Sequence, residues 1–268
     1  MQPSDSTPSP EPQRLARGAE ASIAYHASDG RCPGIVFLGG FMSDMTGSKA
    51  LALESYARRE GRAFLRFDYQ GHGASSGAFE EGTIGLWAAD AIAALDALTE
   101  GPQVLVGSSM GGWIMLLTAL ARPERVAGLL GIAAAPDFTE DLMWQAFDEE
   151  QRATLERDGV LRQPSDYGDE PYTITLKLIE EGRQHLLLRT PIPLTCPVRL
   201  IQGMADVDVP WQTAIRLAEA LETEDVEVQL VKAGGHRLSE PDDLARLTRT
   251  LDDLLKRTDS ILSVRSLK

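Results

Sequence analysis

Two stretches of this chain set a serine between glycines in the pattern Gly-x-Ser-x-Gly: GSSMG at residues 107–111 and GASSG at residues 73–77. A serine hydroxyl is a weak nucleophile at neutral pH. It becomes an effective one when an imidazole takes its proton and a carboxylate orients that imidazole. The pattern has mechanical meaning only at a sharp turn from a buried strand into a helix, where side chains beside the serine would collide with their neighbours. QVLV runs into Gly107, and Gly111-Gly112 open the apolar segment WIMLLTALA, so Ser109 meets that requirement. Ser75 fails it, because FDYQGH before it ends the preceding apolar run and AFEEGT after it is polar. Ser108 is out of register with the glycines and reads as a small packing residue.

Of the four histidines, His236 in AGGHRLSE alone falls after the last apolar strand and before the closing helix, which makes it the candidate base. His72 in GHG is its rival. It precedes the serine in the chain and reads as a loop residue bonded to backbone, while His26 and His185 read as ordinary edge or surface residues. The stretch QGMADVDVPW supplies two carboxylates. Asp206, deeper in the turn, is preferred to Asp208, which stands where it would serve the N-terminus of the next helix. Asp137 is a third option. Acyl transfer also needs donors for a developing oxyanion, and the backbone N–H groups of Met110 and Phe41 are the candidates, Phe41 because Gly39-Gly40 lets the backbone approach.

These residues need a scaffold that presents loops along one edge. Short apolar runs rich in Val, Ile and Leu (34–39, 63–67, 103–107, 129–135, 198–203 and 226–231) alternate with segments of helical period. That pattern belongs to a mostly parallel sheet with helices on both faces. ASIAYHA, 21–27, reads as an antiparallel edge strand. Pro210 opens one helix near the C-terminus, and Ser239 reads as the N-cap of the last. Residues 137–192 interrupt the rhythm and show helical period in two places, so they read as a small helical cap inserted over one end of the sheet. Residues 1–15, rich in Pro and Ser, read as a disordered tail, 16–260 as one α/β domain, and 261–268 as a C-terminal tail.

The formal charge of −14 over 268 residues argues against nucleic acid as a partner, since phosphate binding draws on clustered Lys and Arg. Two cysteines are too few for a disulfide framework, and no His/Cys cluster has metal-ligand spacing. No metal or cofactor is expected, a cytoplasmic location is expected, and no apolar run approaches the roughly 18 residues of a membrane span.

The order Ser109, Asp206, His236 is that of α/β-hydrolases, and the chain resembles that family from about residue 20 to residue 258. The resemblance is carried by SKALALE, RFDYQGHGASSG, TIGLWAAD, GPQVLVGSSMGGW, ARPERV, PIPLTCPVRLIQGMADVDVPW and GGHR. Within the family it is similar to a mammalian palmitoyl-protein thioesterase and acyl-glucuronide esterase type. By motif, the family's nucleophile falls on Ser109, its acid on Asp206 and its base on His236. Two departures stand out: Gly39-Gly40 replaces the His-Gly pair that many members carry, and the first dozen residues do not read as a mitochondrial presequence. The resemblance implies hydrolysis of an acyl ester or thioester, on a small molecule or an acylated protein. The acyl pocket is expected between the strand edge and the insertion, with Phe41, Met42, Trp113, Met143 and Trp144 as candidate walls, although Met and Trp at helical spacing are more often plain core. Alternatives on the same fold are a small-ester carboxylesterase, a cofactor-free haloperoxidase, and a binding protein without turnover.

Overall fold

In the computed structural model, which describes residues 11–163 and 172–265, successive residues of the central strands point to opposite faces of one sheet. In β3 (Arg31–Leu38), Ile35 and Phe37 join one core while Val36 and Leu38 join the other. In β5 (Gln103–Ser108), Val104 and Val106 face the first core and Leu105 the second. A strand buried on both faces needs a continuous apolar run, which is how these segments read in the sequence.

The remaining strands are β1 (Gln13–Ala16), β2 (Ser22–Ser28), β4 (Arg62–Phe67), β6 (Val126–Ile132), β9 (Val198–Gly203) and β10 (Val226–Val231). The sheet order is β1-β2-β4-β3-β5-β6-β9-β10. The pairings from β4 across to β10 are parallel, and β1–β2 and β2–β4 are antiparallel. From β3 the chain passes to β4 on one side and then to β5 on the other. The loops after β3 and β5 therefore diverge at a topological switch point, where α/β sheets place their ligands.

Helices α1 (Ser48–Arg59) and α7 (Pro241–Arg265) cover one face. On the other lie α2 (Ile84–Leu98), α3 (Met110–Ala121) and α6 (Gln212–Ala220). Thr83 caps α2 by accepting from the Leu86 N–H at 3.2 Å. Trp87 and Trp113, both fully buried, anchor the face under α2 and α3.

Several elements differ from the sequence reading. Residues 13–16 form the edge strand β1, so ASIAYHA is the second strand in and the expected tail of residues 1–15 is too long; residues 1–10 lie outside the described residues. QRLA is largely exposed, and a polar edge strand leaves no apolar signature. At the other end α7 continues through the expected tail as far as Arg265, its Leu247, Leu251, Leu254 and Leu255 buried on one stripe. Its first residue is Pro241, which puts Glu240 rather than Ser239 before the first turn. The run 129–135 yields strand only to Ile132, because Ala133 turns to φ 44° and leaves the ladder.

Between β6 and β9 the chain is not purely helical. A π-helical turn (Thr139–Trp144), α4 (Glu149–Asp158), an antiparallel hairpin of β7 (Val160–Gln163) with β8 (Tyr172–Thr175), and α5 (Leu176–Gly182) follow one another. Asp148 and Gln151 close a reciprocal capping box on α4. Within the insertion expected to be helical, the consecutive β-branched residues Thr173, Ile174 and Thr175 pair instead across the hairpin.

Candidate active site

β5 delivers its last residue, Ser108, directly to Ser109, and α3 begins one residue later at Met110. Ser109 is held at φ 53° and ψ −120°, a conformation that costs a side-chain-bearing residue on the order of 1–3 kcal/mol. Its backbone is fixed by β6 and the turn beyond: the Ser109 N–H donates to Ile132 O at 2.9 Å, and Ser109 O accepts from Gly112 at 2.8 Å and Ala135 at 3.0 Å. A Cβ on Gly111 would run into the carbonyls of Leu38 and Gly39, and one on Gly112 into Ala134. The turn can close only where α3 starts in bare backbone.

His236 lies beyond β10, and Asp206 beyond β9. His236 Nε2 stands 3.0 Å from Ser109 Oγ, and His236 Nδ1 stands 2.9 Å from Asp206 Oδ2. The Asp206 side chain is fully buried. Its Oδ2 also accepts from Gln202 Nε2 at 2.9 Å, and its Oδ1 accepts from the N–H groups of Asp208 and Val209, each at 2.9 Å. Burial alone raises its pKa, but the hydrogen bond from His236 and those from the Val209 and Asp208 backbone outweigh it and hold the carboxyl below the usual range. An ionised Asp206 keeps a proton on Nδ1 and leaves Nε2 free to accept from Ser109. Gln202 carried no separate signal in the sequence, because it lies within the apolar run that forms β9.

The donor atoms of Asp206, Asp208 and His236 lie within 4.8 Å of one another, which is close enough to offer a cation three ligands. Asp206 already spends both oxygens on four hydrogen bonds, and His236 spends both nitrogens on Asp206 and Ser109, so the set fits a proton relay better than a metal.

Ser109 and His236 open on a cavity of about 810 Å³. Phe41, Met42 and Met143 line it, together with Phe138, Leu142, Phe147, Tyr172 and Ile174. Gly40 presses on the turn, so that a Cβ there would stand 3.5 Å from Ser109 Cβ, and Phe41 follows it with its ring stacked on Tyr172 at 5.9 Å. Trp113 and Trp144 do not line the cavity. Trp113 is buried behind Phe138 and donates to His185 O at 3.0 Å, and Trp144 packs beside Phe147 under the guanidinium groups of Arg152 and Arg183. Helical spacing marked both as apolar without showing which side of their helices faces the cavity.

The rejected residues have structural partners. Ser75 Oγ donates to Asp68 O and accepts from the Ala24 N–H, both at 2.7 Å, which ties its loop to β2. Ser108 is buried. His72 sits among the rings of Tyr69, Phe79 and Trp87, where burial pushes its pKa down to about 4. His26 belongs to the inner strand β2, paired with Arg66 of β4, so it is not at the edge. His185 Nε2 lies 2.7 Å from Glu181. Asp137, fully buried, accepts from the N–H groups of Leu187 at 2.7 Å and Leu188 at 2.8 Å, pinning the chain that leads back to the sheet.

This sheet order, with a strained serine at the switch point, defines the α/β-hydrolase class, and the model of the alpha/beta hydrolase family matches residues 35–247. The chain belongs to that family. It is similar to the palmitoyl-protein thioesterase ABHD10, mitochondrial, of Mus musculus, with 43% identity over 249 residues, covering 92% of this chain and 84% of that protein. The solved structure of mouse alpha/beta hydrolase domain-containing protein 10 superposes with a TM-score of 0.86 at 43% identity, covering 92% of this chain and 99% of that one. A crystal structure of a protein from Agrobacterium vitis S4 superposes with a TM-score of 0.87 at 40% identity, over 91% and 97% of the two chains. Among the described residues no helix is long and apolar enough to cross a membrane.

Proposed function

We propose that this chain is a serine hydrolase of acyl thioesters or carboxylic esters, of the palmitoyl-protein thioesterase and acyl-glucuronide esterase type. The observation that carries this reading is the unbroken path from Asp206 Oδ2 through His236 to Ser109 Oγ, with steps of 2.9 and 3.0 Å, ending at the cavity. His236 Nε2 takes the Ser109 proton as Oγ attacks the acyl carbon. The N–H groups of Met110 and Phe41 stabilise the oxyanion, and collapse of the tetrahedral species releases the leaving group and leaves an acyl-Ser109 ester. Water, deprotonated by His236, then hydrolyses that ester. A thiolate leaves with little help because thiols ionise near pH 8.5, whereas an alkoxide needs the proton held on His236.

The apolar lining from Phe138, Leu142, Met143, Phe147 and Ile174 suits a fatty acyl chain, and the name of the mouse relative supports an acyl thioester. The substrate is the acylated form of a protein or of a small molecule. The mitochondrial location in the relative's name stays with that relative. A panel of thioesters, alkyl esters and acyl glucuronides of graded chain length, assayed beside Ser109→Ala, tests the reading. The expected optimum is a long acyl chain, with turnover abolished in the variant. An optimum at short chains contradicts the fatty-acyl part, and turnover of no ester at all contradicts the hydrolase part.

A further inference from the structure

The cavity has a second chemical character on the side of His236. Lys49, at the start of α1, and Arg237, next to His236, both line it. Lys49 Nζ donates to the Arg237 carbonyl at 2.5 Å, which ties the ammonium to the same loop that carries His236. Among the described residues Lys49 donates to no carboxylate. The charges that act on it are Arg237 and Asp243, and Asp243 is already engaged by Arg246 at 2.9 Å. Burial, reinforced by the charge of Arg237, pushes the Lys49 pKa down to about 8. A half-buried ammonium that feels the repulsion of a nearby positive charge gains from an incoming anion, which offsets both the desolvation and the repulsion. Asp44 and Asp208 line the same cavity, and Asp44 Oδ1 accepts from the Thr46 N–H at 2.7 Å and Thr46 Oγ1 at 2.5 Å.

Chemistry says which half of the substrate meets these cations. In the reading proposed above, on which this inference rests, His236 returns its proton to the leaving atom, so the leaving half lies against the His236 loop. The acyl half lies toward the apolar wall of Phe138, Leu142, Met143 and Ile174. We propose that Lys49 and Arg237 form a subsite for a carboxylate or phosphate carried on the leaving half of the substrate, and so make the enzyme selective for esters whose leaving group is anionic. Both residues are positioned for binding and neither joins the proton relay. The anion is held before and after the acyl–oxygen or acyl–sulfur bond breaks.

Three esters sharing one acyl chain test this: the acylated methyl 4-hydroxybenzoate, the acylated 4-hydroxybenzoate anion, and the acylated 4-hydroxyphenyl phosphate. The quantity read is kcat/KM for each anionic ester divided by that for the neutral one, in the wild type, Lys49→Met, Lys49→Arg and Arg237→Gln. A hydrogen bond to a charged group changes the ratio by about tenfold. The proposal expects the ratio to fall by about that factor in Lys49→Met and Arg237→Gln, mainly through KM, and to recover in Lys49→Arg. The anion with the larger wild-type ratio identifies which of the two the subsite takes. Ratios that stay constant across all variants overturn the subsite while Ser109-dependent turnover of the neutral ester leaves the hydrolase reading standing. An equal loss on anionic and neutral esters also overturns it, since that marks a structural role. Absence of turnover with all three esters overturns both.

Discussion

Ser109 Oγ and His236 Nε2 stand 3.0 Å apart although 127 positions separate them in the chain. Each is the product of a loop at the same sheet edge, one leaving β5 and the other leaving β10, and neither loop is long enough to wander. The distance is therefore a property of the sheet order as much as of the two residues.

Ser109 is held in a conformation that costs energy, and that strain should be measurable apart from catalysis. Ser109→Ala is expected to lower kcat by about 10³-fold or more with the fold intact. Ser109→Gly removes the same hydroxyl but tolerates φ 53°, so its unfolding free energy should exceed that of Ser109→Ala by about 1 kcal/mol. Urea denaturation of the two variants checks this.

In the proposed mechanism Asp206 orients the His236 imidazole through an ionised carboxylate. Asp206→Asn keeps the size and loses the charge, and the amide lets His236 take the wrong tautomer; kcat is expected to fall by about 10⁴-fold. Because its folded pKa lies below the ordinary value, the Asp206 contribution to stability is present above the unfolded carboxylate pKa and is lost as pH falls through the folded one. Ester turnover and acid denaturation of the variant, compared with the wild type, test both halves.

His72 should govern a separate acid sensitivity. It is buried as the neutral form with a pKa of about 4, against 6.5 when unfolded, so the unfolded chain binds more protons between those values. Stability on the order of 3 kcal/mol is expected to be lost as pH falls from about 6.5 to about 4. His72→Phe, placed among Tyr69, Phe79 and Trp87, should flatten the change in urea midpoint between pH 7 and pH 4.5.

The cavity wall should set acyl length. Ala146 lines the cavity, and Ala146→Phe fills part of its volume. The kcat/KM for long acyl chains is expected to fall by about tenfold, with short chains affected far less. A chain-length series on the purified variant reads this directly.

What was legible in the sequence was local. β9 and β10 are the runs VRLIQG and VEVQLV to the residue: β9 is buried along its whole length, while β10, at the edge of the sheet, is only partly buried, with Glu227 and Leu230 exposed, and was legible from its β-branched valines. The turn at Ser109 was legible because strand, glycines and helix are contiguous. What was not legible depended on distant partners. The edge strand β1 is polar and largely exposed, and the β7–β8 hairpin interrupts a segment whose helical period is real on both sides. Phe138, Tyr172 and Ile174 reach the cavity from elements whose placement no periodicity records, and Trp113 faces away from it. Lys49 was invisible because its meaning comes from a carbonyl on the far loop.

The central claim is that Ser109 is the activated nucleophile, and covalent labelling tests it most directly. A fluorophosphonate probe followed by peptide mass spectrometry should place one adduct on Ser109, absent from Ser109→Ala and formed much more slowly in His236→Ala. A folded protein that takes up no probe, or that is labelled equally after Ser109→Ala, would contradict the account.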